Sequence, residues 1–152
     1  MIDAKANEFL HIYNEILYTS DFMGDKPVNL IGKYEKKILI VVEKSDFSTE
    51  QESLLMKMLQ ACKINEQDYG ILLREDETPV IQLLRQHGPE VLILFGMNLD
   101  LPHMRLNKAL NKPFRFNQIK MLLTHSLLTL QSNASFKSDL WSNGLKPLFG
   151  LT

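Results

Sequence analysis

Five consecutive apolar residues, Ile38-Leu39-Ile40-Val41-Val42, constrain this chain more than any other stretch. A short run of β-branched and leucine side chains without polar alternation has no solvent face, so it reads as a strand covered on both sides, the habit of parallel sheets. The pattern returns at Tyr69-Gly70-Ile71-Leu72-Leu73, at Val91-Leu92-Ile93-Leu94-Phe95, and in the stretch 114–124, where a short β segment at Phe114-Arg115-Phe116 precedes the main strand. Helical patterns lie between the runs. Ser48 or Thr49, with Gln51 or Glu52 downstream, offers capping chemistry for a helix that carries Leu54, Leu55, Met58, Leu59 and Cys62 on one face. Pro79 opens a second helix with Val80, Leu83 and Leu84 facing inward, and Gly88-Pro89 ends it. The weakly periodic stretch 97–113 reads as a loop with at most one helical turn over the sheet edge, and after the last strand a helical turn over 127–131 and a helix over 134–145 bury Phe136, Leu140 and Trp141. Strands alternating with helices at this interval predict an α/β fold of three layers, α/β/α, around a central, mostly parallel sheet of about four strands joined by right-handed crossovers.

Ahead of the first strand, residues 4–18 place Phe9, Ile12, Tyr13, Ile16 and Leu17 at helical spacing, with Lys5, Glu8, Asn14 and Glu15 opposite. Residues 19–37 then mix glycine, proline and charge with little periodicity, which reads as a surface connection or a tether. The chain divides accordingly into an N-terminal helix and linker, 1–36, and one α/β domain, 37–152. The amphipathic stripe has two possible covers, its own domain or a protein partner met in helix-in-groove fashion.

Seventeen basic and eighteen acidic residues leave a net charge of −1, so the chain lacks the cationic field with which most autonomous nucleic-acid binders attract phosphate. Any DNA contact is expected to be weak and local, with Arg105, Lys108, Lys112 and Arg115 as the candidate edge. One cysteine, Cys62, excludes an intramolecular disulfide and reads as a buried small apolar residue. His11, His87 and His103 have no carboxylates or thiols at metal-ligand spacing, and no glycine-rich phosphate loop follows Val42, so neither a metal nor a cofactor is expected. With no apolar run long enough for a membrane span and no secretory pattern at the N-terminus, the expected location is cytoplasmic and off the membrane.

In open α/β sheets ligands bind outside the carboxyl ends of the strands, and the last strand delivers Thr124-His125-Ser126 to that edge. His125 is therefore the first candidate for chemistry, as a general acid, a stabiliser of developing charge or a phosphate contact, or else as a histidine bonded to backbone at a strand end. Glu43, at the end of the first strand, is the second candidate. A pocket between 43–47 and 97–101 would be walled by Asp46, Phe47 and Asn98, with Phe47 as a stacking face. The plain alternative for Glu43 and Asp46 is a solvated turn that caps the next helix.

The order of these features resembles the uracil-DNA glycosylase superfamily. The first strand leading into Glu43-Lys44-Ser45-Asp46, the leucine-pair helix with its acidic exit at Asn65-Glu66-Gln67-Asp68-Tyr69, and the strand ending at Gly96 are similar to that family's pattern. So is the closing series of His125, Leu127-Leu128, Asn133, Lys137 and Trp141. The resemblance implies a three-layer fold that flips a base and cleaves its glycosidic bond, with the water-positioning loop at 43–47, the base-reading carboxamide near Leu73 and Arg74, and His125 in the site. At those places this chain has no glycine or proline in the loop, no carboxamide at 73 or 74, and Ser126 where the family has proline after its histidine. The chain also resembles the psi subunit of DNA polymerase III, a member of the same architecture without known catalysis, in its strand, acidic-serine turn, leucine helix and closing Leu140-Trp141. That likeness implies a non-catalytic interaction module of DNA replication or repair with a protein partner, such as replication machinery. The first likeness alone would imply a glycosylase with altered base specificity.

Overall fold

In a computed structural model, residues 30–75, 80–97, 100–101, 104–105, 110–116 and 118–151 are described, with backbone alone at 80–81, 100–101 and 104–105. The apolar runs form β1 (Ile38–Glu43), β2 (Tyr69–Arg74), β3 (Val91–Phe95) and β7 (Ile119–Thr124), all mutually parallel where they pair. The short β6 (Phe114–Phe116) joins antiparallel to β7 and closes the sheet in the order β2-β1-β3-β7-β6. The sheet thus has five strands, the four expected parallel ones and a three-residue edge. Within the weakly periodic stretch 97–113, two-residue strands β4 (Asp100–Leu101) and β5 (Met104–Arg105) pair as a separate antiparallel ribbon, in place of the expected loop.

Two apolar clusters face away from the sheet, which explains why the central strands show no polar alternation. One gathers Leu39, Val41, Leu92, Leu94, Met121 and Leu123 under Leu83 and Leu84 of α2 (Val80–His87). The other gathers Ile40, Val42, Ile93, Phe95 and Leu122 under α1 (Thr49–Ala61), α3 (Leu127–Ser132) and a final helical stretch. That stretch runs through α4 (Ala134–Asp139), a wider π-helical segment (Leu140–Leu145) and α5 (Lys146–Phe149), which extends the expected last helix by four residues. Helices on both faces make the three layers α/β/α. Cys62 is buried in the second cluster, where desolvation pushes its thiol up to about 11.

Local chemistry sets the helix starts. Ser48 accepts from the Gln51 amide while the Gln51 side chain accepts from the Ser48 amide at 2.8 Å, a reciprocal capping box. On the other side of the sheet, the end of the expected linker is part of the domain. Ile31 and Ile71 exchange backbone hydrogen bonds of 2.9 and 2.8 Å, and the Tyr34 amide donates to the Tyr69 carbonyl at 3.0 Å. Residues 30–36 therefore lie along the outer edge of β2, giving part of that edge the pairing it would otherwise lack. The proposed partner stripe at Phe9, Ile12, Tyr13, Ile16 and Leu17 lies outside the described residues.

Candidate functional site

The strand order reverses direction between β1 and β3, so their carboxyl ends define the switch point at which an open sheet of this kind binds ligands. Glu43 and Arg74 end adjacent parallel strands in register. The Arg74 Nε donates to Glu43 Oε1 at 2.9 Å, and its Nη2 reaches the same oxygen. Glu43 is therefore an ion-paired strand end. The depression of about 440 Å³ at this place is lined by Glu43, Lys44, Ser45, Arg74 and Glu75, on the β1–β2 side of the sheet and without His125. Its lining includes the Glu43–Arg74 pair and a second, exposed pair between Lys44 and Glu75.

Asp46 ends the turn after β1 (Lys44–Asp46) and points the other way, to the start of α3. Its two carboxylate oxygens accept from the backbone amides of Leu127 at 2.6 Å and Leu128 at 2.9 Å. These are donors that no intrahelical carbonyl can satisfy, and the negative charge sits at the positive end of the helix. The expected helix cap is real, but it serves a helix about eighty positions downstream and not the next one. Ser126 completes the cap, its Oγ accepting from the Thr129 amide at 3.2 Å. Asp46→Ala is expected to lower unfolding free energy by about 1–2 kcal/mol in chemical denaturation, as loss of a cap does, and Asp46→Asn should recover part of it.

Phe47 is half-buried and packs on the cluster beneath α1 and α3, so much of its ring is engaged with the core. Between β3 and β7 the crevice is narrow. Gly96 holds φ +73°, donates its amide to the Thr124 carbonyl at 2.9 Å, and lies so near Ser126 that a Cβ there would meet the Ser126 Cβ at 2.9 Å. The ends of β3 and β7 are thus in close contact at Gly96 and Ser126. Asn98 and Lys108 lie outside the described residues, as does the Arg105 side chain; Lys112 and Arg115 are exposed.

His125 is half-buried at the end of β7 and stacks on Phe136 of α4, ring centroids 4.1 Å apart and planes 12° from parallel. Beside it lies a polar chain that the sequence did not suggest. Thr124 Oγ1 donates to Asn111 Oδ1 at 2.6 Å, Asn111 Nδ2 donates to Asp139 Oδ2 at 2.9 Å, and Asn143 Nδ2 donates to the other Asp139 oxygen. The amides of Asn111 and Asn143, and to a lesser extent the nearby His125, hold the Asp139 carboxyl below its ordinary range. Asn111 is buried, and its amide donates to the Leu123 carbonyl at 2.8 Å, so the chain ties β7 to the last helix. Its members come from positions 111, 124, 139 and 143, with no local spacing that would reveal them.

The arrangement places the Asp139 carboxylate near His125, while Glu43 is bound to Arg74 and Asp46 to the start of α3, two residues beyond His125. Among the described residues no group of three histidines, cysteines or acids converges as a metal site, and no helix is long and apolar enough to cross a membrane. Compared with protein-family models and with curated proteins, the sequence matches none.

Proposed function

We propose that this chain is a non-catalytic protein-interaction module of DNA replication or repair, built on a uracil-DNA glycosylase-like scaffold in the manner of the polymerase III psi subunit. One observation carries the reading: the side chains that resemblance puts in a base-excision site are occupied by the fold. Glu43 is paired to Arg74, and Asp46 gives both oxygens to the start of α3. Phe47 packs on the core, and Gly96 abuts Ser126 between the ends of β3 and β7. A pocket for a nucleobase needs free donors and acceptors on its walls, and these contacts occupy the carboxylates that would supply them. In this reading the module acts through its surfaces, including the stripe of Phe9, Ile12, Tyr13, Ile16 and Leu17, and it belongs to the cytoplasm.

The alternative is a glycosylase-class enzyme that uses His125. It is favoured by the placement of His125 at a strand's carboxyl end with the Asp139 carboxylate near it. Incubation with single-stranded and duplex DNA containing uracil, hypoxanthine or mismatches separates the two. The module is expected to release no free base, and His125→Ala to change nothing; release that disappears in His125→Ala would establish the enzyme instead. Removing residues 1–20 is expected to leave the melting temperature of the remainder nearly unchanged, whereas a large drop would assign the stripe to the domain's own core.

A further inference from the structure

The sheet places two cations side by side at its far edge, at the opposite end from His125. Arg115 of β6 and Lys120 of β7 are direct cross-strand partners. The Lys120 amide donates to the Glu90 carbonyl at 3.0 Å, toward β3, so its bonding groups face away from β6. Arg115 and Lys120 therefore form a non-hydrogen-bonded pair, the kind in which the two side chains stand closest. Like charges directly opposite weaken a sheet. Among the described residues neither side chain forms an ion pair; Glu90 shares two surface depressions with Lys120 and makes no salt bridge to it.

The two cations border a depression of about 420 Å³ whose remaining lining is Pro113, Phe114, Pro147 and Leu148. By the same alternation of the ladder, the backbone N–H and C=O of Arg115 point outward from the sheet's last strand. Charge, apolar floor and open main-chain groups thus meet at one place. A peptide with carboxylates beside apolar side chains satisfies all three, and strand addition lets it use the Arg115 backbone. A nucleic acid would use the cations alone, and the chain's net charge of −1 gives it no wider field to hold phosphate.

We propose that the Arg115–Lys120 edge is the docking surface for an extended acidic segment of a protein partner. This rests on the reading of the chain as an interaction module and names where and what it binds. The proposal is tested by titrating the full chain with a fluorescein-labelled Glu-Leu-Glu-Leu-Glu peptide at low and moderate salt, with amide NMR shifts to locate it. Saturable binding is expected, weaker in salt, with shifts confined to the surroundings of Arg115, Lys120 and Leu148. The double variant Arg115→Glu/Lys120→Glu should keep its melting temperature within a few degrees, lose at least about tenfold in affinity, and bind a Lys-Leu-Lys-Leu-Lys peptide instead. If the double variant fails to fold, Arg115→Glu alone, on an exposed side chain, carries the same test. Shifts elsewhere, affinity indifferent to charge reversal, or tighter binding of a single-stranded DNA oligonucleotide at this edge would overturn it. Base release from damaged DNA would by contrast remove the interaction-module reading while leaving a peptide result standing.

Discussion

Phe95→Ala is expected to lower the unfolding free energy by about 3–5 kcal/mol, the largest effect of any single substitution described for this chain. β3 is the middle strand of the five, and Phe95 is 2% exposed in the cluster beneath α1 and α3. Its strand neighbours in register are Val42 and Thr124, so strands on both sides hold the backbone in place and limit collapse into the space an alanine leaves. The cavity cost then adds to the lost transfer energy. Phe95→Leu keeps most of the volume and is expected to cost less than half as much, about 1–1.5 kcal/mol. Urea denaturation followed by circular dichroism checks both. A lowered midpoint with an unchanged slope is expected, and a change under about 1 kcal/mol for alanine would mean that the middle of the sheet is not packed as described.

Gly96→Ala, one residue further on, is expected to cost about 2–5 kcal/mol by a different mechanism. Two terms contribute. At φ +73° an L side chain is strained by about 1–2 kcal/mol. The added Cβ would also press on Ser126, whose Cβ and whose backbone Cα and N lie at 2.9, 3.0 and 3.2 Å. Crowding of that kind adds about 1–3 kcal/mol because no flexible side-chain end can yield. Gly88 supplies the internal control, since it too has a positive φ, +54°, but a Cβ there meets nothing within 4 Å. Gly88→Ala should therefore show the conformational term alone, about 1–2 kcal/mol. Equal losses at the two glycines would mean that the strand ends of β3 and β7 are not in contact at Gly96 and Ser126.

Much of the architecture was legible because burial on two sides leaves a mark at single positions. The uninterrupted apolar runs became the parallel strands, the Ser48 and Gln51 pair became the capping box, and the short Phe114-Arg115-Phe116 segment became the edge strand. The ribbon within 97–113 leaves no mark in the sequence, because two-residue strands are too short to show a period of two. Residues 30–36 have the composition of a linker because their order comes from backbone hydrogen bonds to β2 and to the turn before it, which any side chain can accompany.

The candidate site divides the same way. His125 at the mouth of a strand followed from chain order alone, since an apolar run fixes where its carboxyl end must be. What that histidine touches did not, because Phe136, Asn111 and Asp139 come from separate segments and meet by packing. Sequence also placed carboxylates at Glu43 and Asp46 without deciding their use. One faces Arg74 through strand register, and the other faces the start of α3 because the turn after β1 packs beside it. Periodicity and burial are properties of neighbours along the chain, so the sequence by itself determined the layers, the strands and the position of His125. Pairing and vacancy are properties of neighbours in space, so only the tertiary structure decided that the acids at the switch point are bound into the scaffold, and that two cations stand together at the other end of the sheet.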